Sequence, residues 1–398
     1  MDFGWNAEER AFADEVRAFL AAHPPESFPE DGMDAGYGSG AHSRAFMQAL
    51  GARGWISMSW PHAYGGQQHP MIYKLILLEE LAAGGAPFGP LAGCDQVAEA
   101  IMDHGSDTLR RELLPRIARG EVTFWQGFSE RDAGSDLLSL KTTARRDGDH
   151  YLLSGHKIWS SHAGIADYGL VLARTDATAA RHRGLSMFVV DNGLPGMEIR
   201  PIRNMTGQVY HYEVFLDAVR VPADYLLGRV NEGFAQLLKG LDTDRFWGRF
   251  YKAPSMRRIL AGLVEYANSA STASGAPLAR DPVIRRRLAQ IATDIAALRL
   301  LFYRTGWMIE RGMPVTAESP LAKVMADETG QKLMALGMEM LGLYGPLREG
   351  SRWAKLGGHI QHLYQTSLGH TIAGGTSEIL RSTVATRGLR LPADKARA

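Results

Sequence analysis

The chain has 398 residues, too many for one small domain and suited to two or three. Its 45% hydrophobic and 22% charged content is that of a soluble globular protein, and a formal charge of +1 argues against broad electrostatic attachment to nucleic acid or an anionic membrane. A small molecule is the expected partner. The single cysteine, Cys94, excludes an internal disulfide and a cysteine-cluster metal site, and fits a reducing, cytoplasmic setting.

The opening stretch "MDFGWNAEERAFADEVRAFLAAH" lacks a basic segment followed by an apolar core, so it predicts an amphipathic helix anchored by Phe3 and Trp5, not a signal peptide. No apolar run reaches the roughly 18 residues of a membrane-spanning helix, and no membrane insertion is expected. Residues 1–120 continue with helical periodicity, as in "MIYKLILLEELAAGGA" and "SDTLRRELLPRIARGE", interrupted by the turn signals of "WPHAYGGQQHP". Residues 121–232 change to short alternating or β-branched runs such as "YGLVLART", "LSMFVVDN" and "YEVFLDAVRVP", with Asp147-Gly148 marking a hairpin. From 233 to 398 long helical segments return. The order helical, β, helical lacks the βαβ alternation of a parallel nucleotide-binding sheet and predicts an α+β fold of three domains.

Three familiar motifs fail. "GGAPFGPLAG" has neither the preceding strand nor the spacing of a phosphate loop and reads as a helix-linking turn. His359 and His362 lie three apart, but without a neighbouring carboxylate motif they read as ordinary histidines, and no metal site is expected. A Gly-x-Ser-x-Gly nucleophile elbow is absent.

The informative segments are "QGFSERDAGSDLLSLKT" (126–142), "GHKIWSSHAGIADYGLVLART" (155–175), "GLDTDR" (240–245) and "GGTSEILR" (374–381), supported by "WPHAYGG", "HRGLSMFVVD" and "FLDAVRVPADYLLG". In this order and over nearly the whole chain they resemble the acyl-CoA dehydrogenase family of flavoproteins. The resemblance implies an N-terminal helical domain, a middle β-barrel-like domain and a C-terminal four-helix bundle, with FAD between the last two. It also assigns roles. The strand from Gln126 through Phe128 to Ser129 would face the flavin ring, Trp159 would pack on it, and Ser161 would reach its N5 or O4 edge. Thr376 and Glu378 match positions touching the FAD chain. Ser135 and Asp242 match positions near the CoA part of the substrate, and Arg245, the last residue of "GLDTDR", is placed with them as substrate-binding. Hydrogen bonds to a ring that gains negative charge on reduction are what such a site needs.

Two departures matter. In many members the first glycine position of the "GGTSE" loop carries the glutamate that removes the α-proton; here it is Gly374, whose backbone N–H can still bond a thioester carbonyl. A minority branch, including isovaleryl-CoA dehydrogenase, carries the base on another helix, directly before an arginine, which places Asp244 in that role. Aspartate is one methylene shorter than glutamate, and a misplacement of about 1 Å can cost on the order of a hundredfold in rate. Second, the segments that complete a neighbour's FAD site in family homotetramers, "RxxFG" and "QxxGG", read "STASG" and "EMLGL", with Ser271, Ser274, Glu339 and Leu343 at the altered positions.

The resemblance therefore implies α,β-dehydrogenation of an acyl-CoA thioester to the 2-enoyl-CoA: Asp244 takes the α-proton, the β-hydride goes to FAD, and electrons pass to an electron-transfer flavoprotein. A homotetramer and a heterotetramer with a paralogous chain both stay open. So do a flavin oxidase or monooxygenase on the same fold, and a partner subunit of a heteromeric enzyme.

Overall fold

The computed structural model describes residues 4–24, 43–179, 181–271 and 275–392, with the side chains of 239–245 outside the description. Among the described residues the N-terminal part holds five α-helices: α1 (Ala7–Ala22), α2 (Arg44–Ala52), α3 (Met71–Gly84), α4 (Leu91–His104) and α5 (Asp107–Ala118). The start of α1 is set locally. The Asn6 side chain accepts from Glu9 N and the Glu9 carboxylate accepts from Asn6 N, both at 2.9 Å, which satisfies two otherwise unpaired amides. Trp5 acts as the expected anchor, donating its indole N–H to the Tyr303 hydroxyl at 3.2 Å, whereas Phe3 lies outside the described residues. α4 is fixed by a buried ion pair, Lys74 to Asp95 at 3.0 Å.

Eight strands follow: β1 (Phe124–Gly127), β2 (Thr143–Asp147), β3 (His150–Ser161), β4 (Tyr168–Arg174), β5 (Leu185–Asp191), β6 (Met197–Arg203), β7 (Val209–Pro222) and β8 (Leu226–Leu227). They form one sheet in the order β6-β7-β3-β2-β4-β5-β8, with β1 parallel to β4. β2 and β3 make the expected hairpin, pairing Asp147 with His150; the loop is Gly148-Asp149, one residue later than the sequence suggested, with Gly148 at φ +61°.

Strand alternation separates two cores. Val171 and Ala173 of β4, with Phe188 and Val190 of β5, turn to a core internal to the β region around Trp125. Leu170 and Leu172, with Leu185, Met187 and Val189, turn to the other face and join the helical core. β4 and β5 are thus covered on both sides, which holds the β region against the helices.

The C-terminal helices are α6 (Gly233–Phe250), α7 (Lys252–Ser269), α8 (Pro282–Glu310), α9 (Glu318–Leu341), α10 (His359–His370) and α11 (Ser377–Thr383). α6 to α9 pack on one another as a bundle, and α10 and α11 lie along α9. α8 starts on Asp281, whose carboxylate accepts from Val283 N at 2.8 Å and Ile284 N at 3.2 Å, with Pro282 as first helical residue.

Candidate active site

The segment after β1 is held rigidly from beneath. Lys157 on β3 is fully buried and donates its ammonium to Phe128 O at 3.2 Å and to Glu130 Oε1 at 2.9 Å. The Glu130 carboxylate in turn accepts from Lys141 N at 2.6 Å and Thr142 N at 2.9 Å. Burial is the largest single influence on Glu130 and raises its pKa, but Lys157 and the hydrogen bonds outweigh it and leave the carboxyl below its usual range. Burial also pushes the Lys157 ammonium down to about 8. Ile158 N bonds Ser129 O at 3.0 Å, so the 128–130 backbone runs against β3. Gln126 donates to the Gln96 side chain, and Phe128 packs half-buried against the helical core.

β3 carries a bulge against β7 between Lys157 and Ser160. Within it Trp159 adopts φ +60°, a conformation that costs an L-residue roughly 1–2 kcal/mol, and the residue is 58% exposed. His211 supports that ring edge-on, centroids 5.8 Å apart. The expectation that Trp159 and Ser161 share one strand face rested on unbroken alternation. The bulge interrupts that alternation and itself sets how Trp159 is presented. Ser161, half-buried, pairs with His211 across the strands; Ser160 between them is buried, its hydroxyl without a partner.

Gly374 and Gly375 have φ +68° and +97°, conformations that only glycine adopts readily, and they link α10 to α11. Thr376 caps α11, its hydroxyl accepting from Ile379 N at 3.2 Å, and Glu378 lies exposed in the first turn. Backbone and Thr376 hydrogen bonds hold Glu378 below the usual carboxylate range. Lys323 of α9 ties the loop down, donating to His370 O at 2.9 Å and Gly375 O at 2.8 Å.

The end of α6 meets this loop. A Cβ at Gly374 would lie 3.3 Å from Nη2 of Arg249. Arg249 belongs to a buried charge cluster that the sequence reading missed: Asp327 faces Lys252, Lys323 (2.8 Å) and Arg249 (3.6 Å). Burial favours neutral Asp327, but the three cations overcome it and keep the carboxylate ionised, its pKa lowered. Burial, reinforced by the same cations, drives His370 well below its ordinary value, so it stays neutral. The only sequence signal was the placement of cations at 249 and 252, where the helical pattern asks for core residues.

Asp244 and its neighbours Asp242 and Arg245 lie on α6, their side chains outside the described residues. Helical spacing puts Gly248 one turn beyond Asp244 on the same face, and a Cβ at Gly248 would meet nothing within 4 Å. Among the described residues there is thus open space at Gly248, whose neighbour Arg249 reaches the Gly374 loop. Ser135 is exposed in the turn after β1, next to Asp136, which Arg181 holds at 2.6 Å. Ser271 is exposed after α7, and Ser274 lies outside the described residues. Glu339 is ion-paired to Arg287 of α8 at 2.5 Å, and Leu343 is 96% exposed.

Among the described residues no helix is long and apolar enough to cross a membrane, and no cluster of His, Cys, Asp and Glu is arranged to hold a metal.

Three segments match domains of one family: residues 6–121 the acyl-CoA dehydrogenase N-terminal domain, 126–219 its middle domain and 231–389 its C-terminal domain. The acyl-CoA dehydrogenase FadE26 of Mycobacterium tuberculosis is 30% identical over 98% of this chain and 99% of its own length. Among solved structures, the Tcur3481-Tcur3483 steroid ACAD superposes with a TM-score of 0.86 at 29% identity, covering 99% of this chain and all of that one. The ChsE4-ChsE5 complex from Mycobacterium tuberculosis does so at 0.85 and 29%, with the same coverage. The chain belongs to the acyl-CoA dehydrogenase family of flavoprotein oxidoreductases.

Proposed function

We propose that this chain is an FAD-dependent acyl-CoA dehydrogenase that converts an acyl-CoA thioester to the 2-enoyl-CoA and passes the electrons to an electron-transfer flavoprotein. The observation that carries this reading is the meeting of the Gly374 loop with the end of α6, beside the open space at Gly248. A thioester in that space would have a backbone donor on one side and the helix bearing Asp244 on the other.

The residues present fit a flavin ring. The end of β1 and the segment after it, residues 126–129, run against β3 beside a bulge that holds a large aromatic side chain outward at positive φ, at a cost in conformational energy. Gln126, Phe128, Ser129, Trp159 and Ser161 would hold the ring, and Thr376 and Glu378 the rest of the cofactor. FAD, when bound, supplies the acceptor for the β-hydride. The chain supplies the remainder. The Gly374 N–H bonds the thioester oxygen as it gains negative charge, and Asp244 removes the α-proton, as in the isovaleryl-CoA dehydrogenase-like branch. Ser135, Asp242 and Arg245 contact the CoA portion.

The altered far-end positions favour a heterotetramer over a homotetramer. Glu339, standing where the family pattern has a glutamine, is engaged by Arg287 of its own chain, and Leu343 exposes an apolar side chain where the pattern has glycine. Two structural neighbours are complexes named for two different chains. The expected result is a chain that binds FAD weakly or not at all when purified alone, and non-covalently and tightly when co-expressed with a paralogous partner. Flavin absorbance and a released FAD peak after acid precipitation measure it. Absence of flavin from both preparations, even after FAD is added, would remove the cofactor assignment. Full flavin content in the isolated chain would remove the heteromer.

A further inference from the structure

Two of the three side-chain nitrogens of Arg249 face its own helix and α9. Nη1 donates to Gly248 O at 2.9 Å, and Nε lies 3.6 Å from Asp327 Oδ1. The third, Nη2, reaches the Gly374 loop, 3.3 Å from where a Cβ on Gly374 would stand. A Cβ lies about 2.5 Å from its own amide nitrogen, which places Nη2 within about 6 Å of the Gly374 nitrogen. One oxygen accepting from both, at about 2.9 Å each, spans that separation.

Charge balance at Asp327 does not require Arg249. Asp327 is ion-paired to Lys252 and, at 2.8 Å, to Lys323, and all three are fully buried. Burial pushes the Lys252 ammonium down to about 7, with Asp327 opposing it. A guanidinium keeps its charge in the same surroundings. Arginine is thus the side chain that holds a permanent positive charge beside the loop amide.

We propose that Arg249 is a catalytic residue whose Nη2–H donates, together with the Gly374 N–H, to the thioester oxygen of the bound substrate. As the α C–H bond breaks, the proton goes to Asp244 and the electron pair spreads to that oxygen. The pair returns to form the Cα=Cβ bond when the β-hydride leaves for FAD. A fixed cation at the oxygen stabilises most while the negative charge is there. It makes the α-proton more acidic, and so answers a base that is both shorter and intrinsically weaker than glutamate. The nearness of Nη2 to the loop amide favours the thioester oxygen over a carboxylate farther along the acyl chain.

The inference rests on the dehydrogenase reading, and the test separates the two. The FAD-loaded protein, with its partner chain if FAD binding requires one, is first screened for an acyl-CoA thioester that reduces its flavin. The matching 3-thia thioester, with sulfur in place of the β-carbon, has no β-hydride to give. Proton removal then stops at the enolate, seen as a long-wavelength absorbance band beside the oxidised flavin. Arg249→Gln is expected to cut that band at least about fivefold at saturating analogue, and to slow flavin reduction by the true substrate about 10² to 10³-fold, the usual cost of removing one such donor. Should that variant fail to fold, Arg249→Lys is expected to cut the band at least about threefold, since burial drives an ammonium in this cluster towards neutrality. A smaller loss in the variant tested overturns the inference, even where flavin reduction slows. A wild type that is reduced by the parent thioester but forms no band with the analogue overturns it as well. A wild-type flavin that no thioester reduces overturns the dehydrogenase reading, and this inference with it.

Discussion

Asp244→Asn is expected to keep its FAD and to lose about 10² to 10⁴ in the rate of flavin reduction by an acyl-CoA substrate, the usual cost of deleting a general base. An amide of the same shape cannot take the α-proton, whereas the Gly374 N–H and the flavin site stay in place. Rapid mixing under anaerobic conditions, following flavin absorbance, measures the loss; a wild-type rate would remove the assignment. The structure also says where the base cannot simply be returned. Gly374→Glu would impose φ +68° on an L-residue, at roughly 1–2 kcal/mol, and start its side chain 3.3 Å from the Arg249 guanidinium. A glutamate paired with that cation is a weaker base than one in an apolar pocket. Adding Gly374→Glu to Asp244→Asn is therefore expected to restore little activity, while Asp244→Glu, which lengthens the base where it stands, is expected to remain active.

The second large effect is on stability. Asp327 is ion-paired to both Lys252 and Lys323, and all three are fully buried. Asp327→Asn leaves buried cations without that countercharge, a change that typically costs about 3–5 kcal/mol. Denaturant unfolding of the FAD-loaded protein is expected to show a loss of that order, and a loss under about 1 kcal/mol would mean that the cluster does not act as a unit. Because the Asp327 pKa is depressed in the fold, its contribution is present above the ordinary carboxylate range and disappears as pH falls through the lowered value. Lys323 also ties the carbonyls of His370 and Gly375, so the variant is expected to loosen the Gly374 loop as well as the bundle.

Local signals made the fold readable. The change from helical to two-residue periodicity near Phe124 and back near Gly233 follows which side chains each element must bury, and Asn6 and Asp281 announce helix starts through caps that depend on a few neighbouring residues. Asp147-Gly148 announced a hairpin but misplaced its loop by one residue, since a glycine at positive φ fits either turn position. The proposed site could be read from sequence only where it consists of contiguous segments, as at Gly374 to Glu378 and at Trp159. It was not legible where residues far apart in sequence converge. Arg249 and Lys252 stand out only as cations at core positions; their countercharge, Asp327, comes from α9, more than seventy residues away in sequence. The bulge that turns out Trp159 is likewise a two-strand property, invisible in β3 alone.

The central claim is that the meeting of α6 with the Gly374 loop forms an acyl-CoA dehydrogenation site. It is tested most directly by adding a panel of acyl-CoA thioesters to the FAD-loaded protein without oxygen, together with its partner chain if FAD binding requires one. The account predicts that at least one thioester bleaches the oxidised flavin with formation of the matching 2-enoyl-CoA, and that the reduced protein reoxidises slowly in air but quickly with an electron-transfer flavoprotein. A flavin that no thioester bleaches, or one whose preferred acceptor is oxygen, would contradict it.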